Sequence, residues 1–168
     1  MAIRPIIQFP DPRLRAVAQP VTVFDAALRD LAADLAETMQ AAPGIGITAP
    51  HIGVLQRIVV IRLSDWPEAR TYINPVILWS SDETFRHLEG SVSMPGVGDD
   101  IDRPARVRVQ YQDLNGGQQI EEAENLAATC HQHEIDQLDG IFWLQKFSRL
   151  KRDRLIKRYE KLQRLSAD

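Results

Sequence analysis

Cysteine is nearly absent from this chain: Cys130 is the only one in 168 residues. A single thiol closes no disulfide within the chain and builds no cysteine-based zinc ribbon, so the fold must rest on core packing, as suits a reducing compartment. Aromatic residues are sparse, at 7%, and no charge sign dominates, with 20 Lys and Arg against 23 Asp and Glu for a net charge of −3. A nearly neutral molecule is not built to coat nucleic acid or an anionic membrane. Nowhere do 18 apolar residues run together, and the opening residues hold no apolar stretch followed by a small-residue cleavage site. These absences predict a soluble cytoplasmic protein, with neither DNA nor a membrane as its partner.

What is present suffices for one core. With 44% hydrophobic residues over 168 positions, the chain reads as a single domain spanning 1–168, without repeats or a low-complexity linker. Its charge is unevenly placed. Nine Lys and Arg between Lys146 and Arg164 face only Asp153 and Glu160, so this segment carries +7 and the rest −10. Leu155, Ile156, Tyr159 and Leu162 fall at helical spacing within it, which predicts an amphipathic basic helix over about 146–165.

Upstream, Leu28, Leu31, Leu35 and Met39 line one stripe of a helix over Asp25 to Gln40, opened by an acidic cap. The β-branched run Ile58–Ile61 reads as a strand, as does Thr71–Trp79, where Pro75 marks an edge, an end or a bulge. Val107, Val109 and Tyr111 alternate with polar residues ahead of Asp113–Gly117, whose composition predicts a β-hairpin turn. A second helix is expected over about Glu122–Asp139, closed by Gly140. Helix, antiparallel strands, helix and basic helix make an α+β fold rather than a βαβ repeat.

The second helix holds the string Cys130-His131-Gln132-His133-Glu134-Ile135-Asp136-Gln137. His133 and Gln137 share a helix face beside Glu134, one residue short of His-Glu-x-x-His, in which two imidazoles hold a metal and the glutamate moves the proton of its bound water. His131 points about 200° away, given a helix turning 100° per residue, so it belongs to the surface or to a supporting position.

Two glycine-bearing segments precede this string: Pro43-Gly44-Ile45-Gly46-Ile47-Thr48-Ala49-Pro50-His51, and Leu88-Glu89-Gly90-Ser91-Val92-Ser93-Met94-Pro95-Gly96. Taken with His133-Glu134, in this order, they resemble the three signature motifs of the peptide deformylases: Gly-x-Gly-x-Ala-Ala-x-Gln, Glu-Gly-Cys-x-Ser and Gln-His-Glu-x-Asp-His. The resemblance extends to Phe9–Arg15, to Ile73-Asn74-Pro75 and to the charged C-terminal helix. It implies an α+β fold with antiparallel and mixed sheets around a central helix that carries His133-Glu134. It also implies a hydrolase of N-formylmethionyl peptides that uses ferrous iron or zinc, held by the second-motif cysteine and two third-motif histidines, with the glutamate as general acid and base.

By that resemblance, His133 is the first histidine ligand and Glu134 the catalytic glutamate. Three central positions depart from it: Ser91 stands where the cysteine ligand belongs, Gln137 where the second histidine belongs, and His51 where the oxyanion-binding glutamine belongs. A serine hydroxyl stays protonated near neutral pH, and an amide oxygen suits harder cations than zinc. Disturbing a ligand's support alone costs roughly 10–100-fold in affinity or activity, so two lost ligands should cost at least roughly 10²–10⁴-fold.

The reading is therefore a family member with no tightly bound cofactor, poor or inactive as a deformylase, which binds peptide N-termini. The alternative is a working metallohydrolase in which His51 swings beside His133 to rebuild a site for iron or zinc. Gly46, Ile45, Val92, Leu126 and Cys130 are expected to bind the substrate, four of them walling the space for a methionine side chain, with Thr129 and His87 making that wall more polar. Glu89 and Arg103 are expected to pair beneath His133. The acidic run Asp99, Asp100 and Asp102 is either solvated loop or a determinant of which peptide lies there. The basic helix resembles the element by which bacterial deformylases dock on the ribosome.

Overall fold

The computed structural model describes residues 2–167. The first helix, α1, spans Ala26–Ala41, and Asp25 caps it by accepting from the Leu28 N–H at 3.0 Å. The strands are β1 (Gly46–Thr48), β2 (Ile58–Ile61), β3 (Arg70–Ser80), β4 (Thr84–Ser91), β5 (Met94–Pro104), β6 (Arg106–Gln112) and β7 (Gln118–Glu124). Two helices follow, α2 over Leu126–Leu138 and α3 over Arg149–Ser166. Five strands form one antiparallel sheet in the order β1-β2-β3-β6-β7, and β4 and β5 form a separate two-stranded ribbon.

All four residues of β2 are buried because helices cover both faces of the sheet. Ile58 and Val60 pack with Leu28, Leu35 and Met39 of α1, while Val59 and Ile61 pack with Cys130 and Leu138 of α2. On the same side, Ala128 and Ile135 of α2 cover Val107 and Val109. The central helix thus lies pinned on the sheet, and its opposite side meets the β4-β5 ribbon. Helix α3 docks through Leu155, Ile156, Tyr159 and Leu162, the stripe its periodicity indicates, against Met94, Val97 and Ile101 of β5 and against Phe142.

Four details differ from the sequence reading or sharpen it. Helix α2 begins at Leu126, not near Glu122, because β7 stays paired with β6 as far as Arg106–Glu124 and Asn125 then turns the chain with φ 53°. Residues Glu121–Glu124 look helical in composition, but Arg108 crosses the strands to Glu122 at 3.0 Å and the ladder prevails. Helix α3 starts at Arg149, capped by Ser148, and Lys146 lies in a preceding 3-10 turn. Pro75 marks a bulge: β3 is interior, and its register with β6 shifts between Ile73 and Val76, beside Asn74 at φ 51°. The second glycine-bearing segment closes β4 and opens β5.

Candidate functional site

The first residues of β1, the β4-β5 turn and one face of α2 enclose a cavity of about 390 Å³. Its lining includes Gly44, Ile45, Gly46, His51, Glu89, Ser91, Val92, Leu126, Thr129, Cys130, His133 and Glu134. Gln137 and His87 are not among its lining residues. Close approach explains one glycine: a Cβ on Gly46 would come within 2.8 Å of the Glu134 Oε2 atom, so the bare backbone leaves room for that carboxylate.

A buried ion network orients α2 toward the cavity. Arg103 of β5 grips Glu89 of β4 through Nε at 2.6 Å and Nη2 at 3.0 Å, and donates from Nη1 to Asp136 of α2 at 2.9 Å. The His133 Nδ1 lies 2.8 Å from Glu89 Oε1. Burial alone would raise the Glu89 pKa, but the hydrogen bonds from His133 and Arg103 outweigh it and hold this carboxyl below the usual range. An ionised Glu89 accepts, so His133 donates from Nδ1 and turns Nε2 toward the cavity side, while burial is outweighed by the charge of Glu134 and the bond to Glu89, which raise the His133 pKa. That is the ring orientation a metal-binding histidine takes from a supporting carboxylate. Burial pushes Glu134 up to about 7, with nearby His133 opposing the shift and Glu89 reinforcing it.

The positions flanking His133 are arranged differently. Gln137 is buried, and its Nε2 donates to the Leu14 carbonyl at 2.7 Å, tying α2 to the N-terminal segment. The Ser91 Oγ accepts from the Ser93 N–H at 3.1 Å across the ribbon turn. Among the described residues, no three His, Cys, Asp or Glu side chains come together as a metal-holding group. Cys130 lies on the cavity wall, and burial raises its pKa, so it stays a thiol.

His51 is 1% exposed, in a 3-10 turn that follows β1. The Thr48 backbone N–H donates to its Nδ1 at 2.9 Å, the Thr48 Oγ1 lies 3.0 Å away, and its Nε2 is buried without a partner in the protein. Burial, with His133 adding repulsion, pushes this imidazole down to about 3. Thr48 was not singled out from the sequence, although threonine three residues ahead of a side-chain acceptor is the spacing of a capping box.

His131 is not a surface residue. It lies behind the cavity at 1% exposure, its Nε2 3.0 Å from Glu121, which also accepts from the Tyr72 hydroxyl at 2.8 Å. The acidic run is drawn into pairs: Arg86 meets Asp102 at 3.1 Å and Asp100 at 3.8 Å, and Lys151 of α3 reaches Asp99 at 3.4 Å.

A buried His-Glu pair on a central helix thus faces two glycine-bearing segments across a cleft in an α+β fold. Comparison with known proteins places it further. The sequence model of the family described as polypeptide deformylase matches residues 3–153, and the chain belongs to that family. A "Peptide deformylase-like" protein of Brucella melitensis is 63% identical over 98% of this chain and 100% of its own length. Two further relatives come from Rhizobium meliloti: one also described as "Peptide deformylase-like", 56% identical over 99% of this chain and 97% of its own, and one described as "Peptide deformylase", 44% identical over 96% and 94%. The crystal structure of a peptide deformylase from Legionella pneumophila superposes with a TM-score of 0.93 at 39% identity, covering 99% of this chain and 98% of that one.

Proposed function

We propose that this chain is a deformylase-family receptor for peptide N-termini, poor or inactive as a deformylase because it lacks a competent metal site. The observation that carries this reading is the set of atoms offered to a metal. Only His133 is a nitrogen donor of the right kind with its support in place. Ser91 offers a neutral hydroxyl that already accepts a hydrogen bond, and Gln137 is spent on the Leu14 carbonyl outside the cavity lining. This donor set does not fit ferrous iron or zinc, which take thiolate and imidazole.

Without such a metal, Glu134 faces water of ordinary acidity, and a carboxylate alone does not activate it for attack on a formamide. The cleft itself persists. Its apolar wall of Ile45, Val92, Leu126 and Cys130 suits a methionine-like side chain at a chain N-terminus. Relatives of both descriptions occur in Rhizobium meliloti, which fits a division of labour between an enzyme and a second, differently used copy of the fold. The exposed basic face of α3 (Arg154, Lys157, Arg158 and Lys161) suits ribosomal RNA, placing the cleft near emerging chains.

The test is restoration. Wild-type protein should show no metal-dependent turnover of an N-formylmethionyl peptide, while the double variant Ser91→Cys, Gln137→His should bind one zinc and gain turnover that Glu134→Gln removes. Turnover by the wild-type chain that chelation abolishes would overturn the reading.

A further inference from the structure

A second cavity, of about 270 Å³, lies away from the cleft, where residues 9–15 and 142–145 meet the start of α3. Arg149, Arg152, Asp153 and Ile156 of α3 border it, and their spacing puts them on one stripe of that helix. This is not the outward stripe of Arg154, Lys157, Arg158 and Lys161 assigned above to ribosomal RNA.

Three guanidinium groups border the cavity, those of Arg15, Arg149 and Arg152, and among the described residues none of them pairs with a carboxylate. Neighbouring cations are spent: Arg13 holds Asp11 at 2.7 Å, Lys146 holds Asp136 at 3.2 Å and Lys151 holds Asp99 at 3.4 Å. Asp11 also borders the cavity, but Arg13 already meets its charge, which leaves Asp153 alone among the lining carboxylates against three arginines. Beneath them the floor is apolar. Leu14, Phe142 and Leu144 are buried there, and Phe9 stacks on Phe142 at 5.7 Å.

We infer that this cavity binds a small organic carboxylate, its anionic end held by Arg15, Arg149 and Arg152 and its apolar body laid against Leu14, Phe142, Leu144 and Ile156. Three like charges gathered at one hollow repel one another, and an anion between them relieves that repulsion. The forked N–H donors of a guanidinium match the two oxygens of a carboxylate. A bare inorganic ion would gain nothing from the apolar floor. A doubly charged phosphate ester would be repelled by Asp11 and Asp153 more strongly than a single charge. Size sets the upper limit: at about 30 Å³ per water the cavity has the volume of roughly nine waters, below the range of about 300–1,000 Å³ common for drug-sized ligands. A carboxylate with a short aliphatic or single-ring body fits, and a nucleotide does not. Neither His133 nor Glu134 takes part, so the site stands whether or not the cleft binds chain N-termini.

The probe is 3-phenylpropionate, with 3-phenylpropionamide as its uncharged counterpart and inorganic phosphate as an anion without an apolar body. Calorimetric titration of the intact chain should show 3-phenylpropionate saturating one site, with the amide and phosphate at least about tenfold weaker. The double variant Arg149→Gln, Arg152→Gln should weaken 3-phenylpropionate by about tenfold or more. Arg154→Gln with Lys157→Gln, which removes as much charge from the outward stripe, should leave its affinity unchanged. In amide spectra of the wild-type chain the probe should shift Arg15, Gln145 and Arg149 and leave Gly46 and His133 in place.

Absence of saturable binding would overturn the inference, as would equal affinity for the amide or for phosphate. An undiminished Arg149→Gln, Arg152→Gln variant, or an equal loss in both double variants, would do the same. Shifts confined to Gly46 and His133 would place the probe in the cleft and also contradict it.

Discussion

At the scale of single residues, a buried ion network fixes His133 of α2. Arg103, Glu89 and Asp136 hold His133 as a ligand would be held, and they also lock β4, β5 and α2 together. Arg103→Met should therefore cost about 3–5 kcal/mol in urea denaturation, because it leaves two carboxylates around a buried site without their partner. His51 gives a signed pH effect. Folding holds this imidazole neutral, so its contribution to stability is complete above 6.5, the ordinary value, and is lost as pH falls toward about 3. The stability of His51→Gln relative to wild type should rise as pH is lowered through that window and stay flat above it. Taking the difference between the two proteins cancels Glu89, whose own contribution is lost below about 4.5. A flat difference across the whole range would mean that His51 is not held neutral.

His133 and Glu134 stand out in the sequence by residue type and spacing, whereas Ser91 and Gln137 stand out only against the motifs of the family the chain resembles. Which partners those side chains take was not legible. Gln137 turns to Leu14, 123 positions away in the chain, and His51 is fixed by a backbone amide that carries no sequence signature beyond the Thr48 spacing.

At the scale of elements, local periodicity sufficed where one face of an element meets one neighbour. This is why α1, β2, the β6-β7 hairpin and the docking stripe of α3 follow from pattern alone. It failed for β4 and β5. Their strands carry Gly90, Pro95, Gly96, Gly98 and four acidic residues, and they form a ribbon whose ladder, rather than its hydrophobicity, defines it. The start of α2 was misplaced because long-range pairing of β7 overrode local helix propensity.

Asn74 shows how one residue joins elements. At φ 51° beside the Pro75 bulge, it accepts from the Val21 N–H at 2.8 Å and donates to the Val21 carbonyl at 2.9 Å and to Gln112 at 2.8 Å. Asn74→Ala should cost about 1–3 kcal/mol in urea denaturation, from lost bonds to a strap segment and from a positive φ that alanine resists.

At the scale of the whole molecule, the charge division seen in the sequence becomes a surface. Lys146 and Lys151 are spent on Asp136 and Asp99, while Arg154, Lys157, Arg158 and Lys161 face outward from α3. The proposed binding to ribosomes should weaken steeply as salt rises, and the triple variant Arg154→Glu, Lys157→Glu, Arg158→Glu should abolish it without affecting the cleft. Salt-independent binding would place the contact elsewhere.

The cleft and the helix act separately, and the proposed role of the cleft turns on whether His133 holds a metal. The most direct test is the metal content of the wild-type chain purified without oxygen and without chelators, measured beside His133→Ala. The account predicts well under about one tenth of an iron or zinc ion per chain, the same in both proteins. About one ion per wild-type chain, lost in the variant, would contradict it.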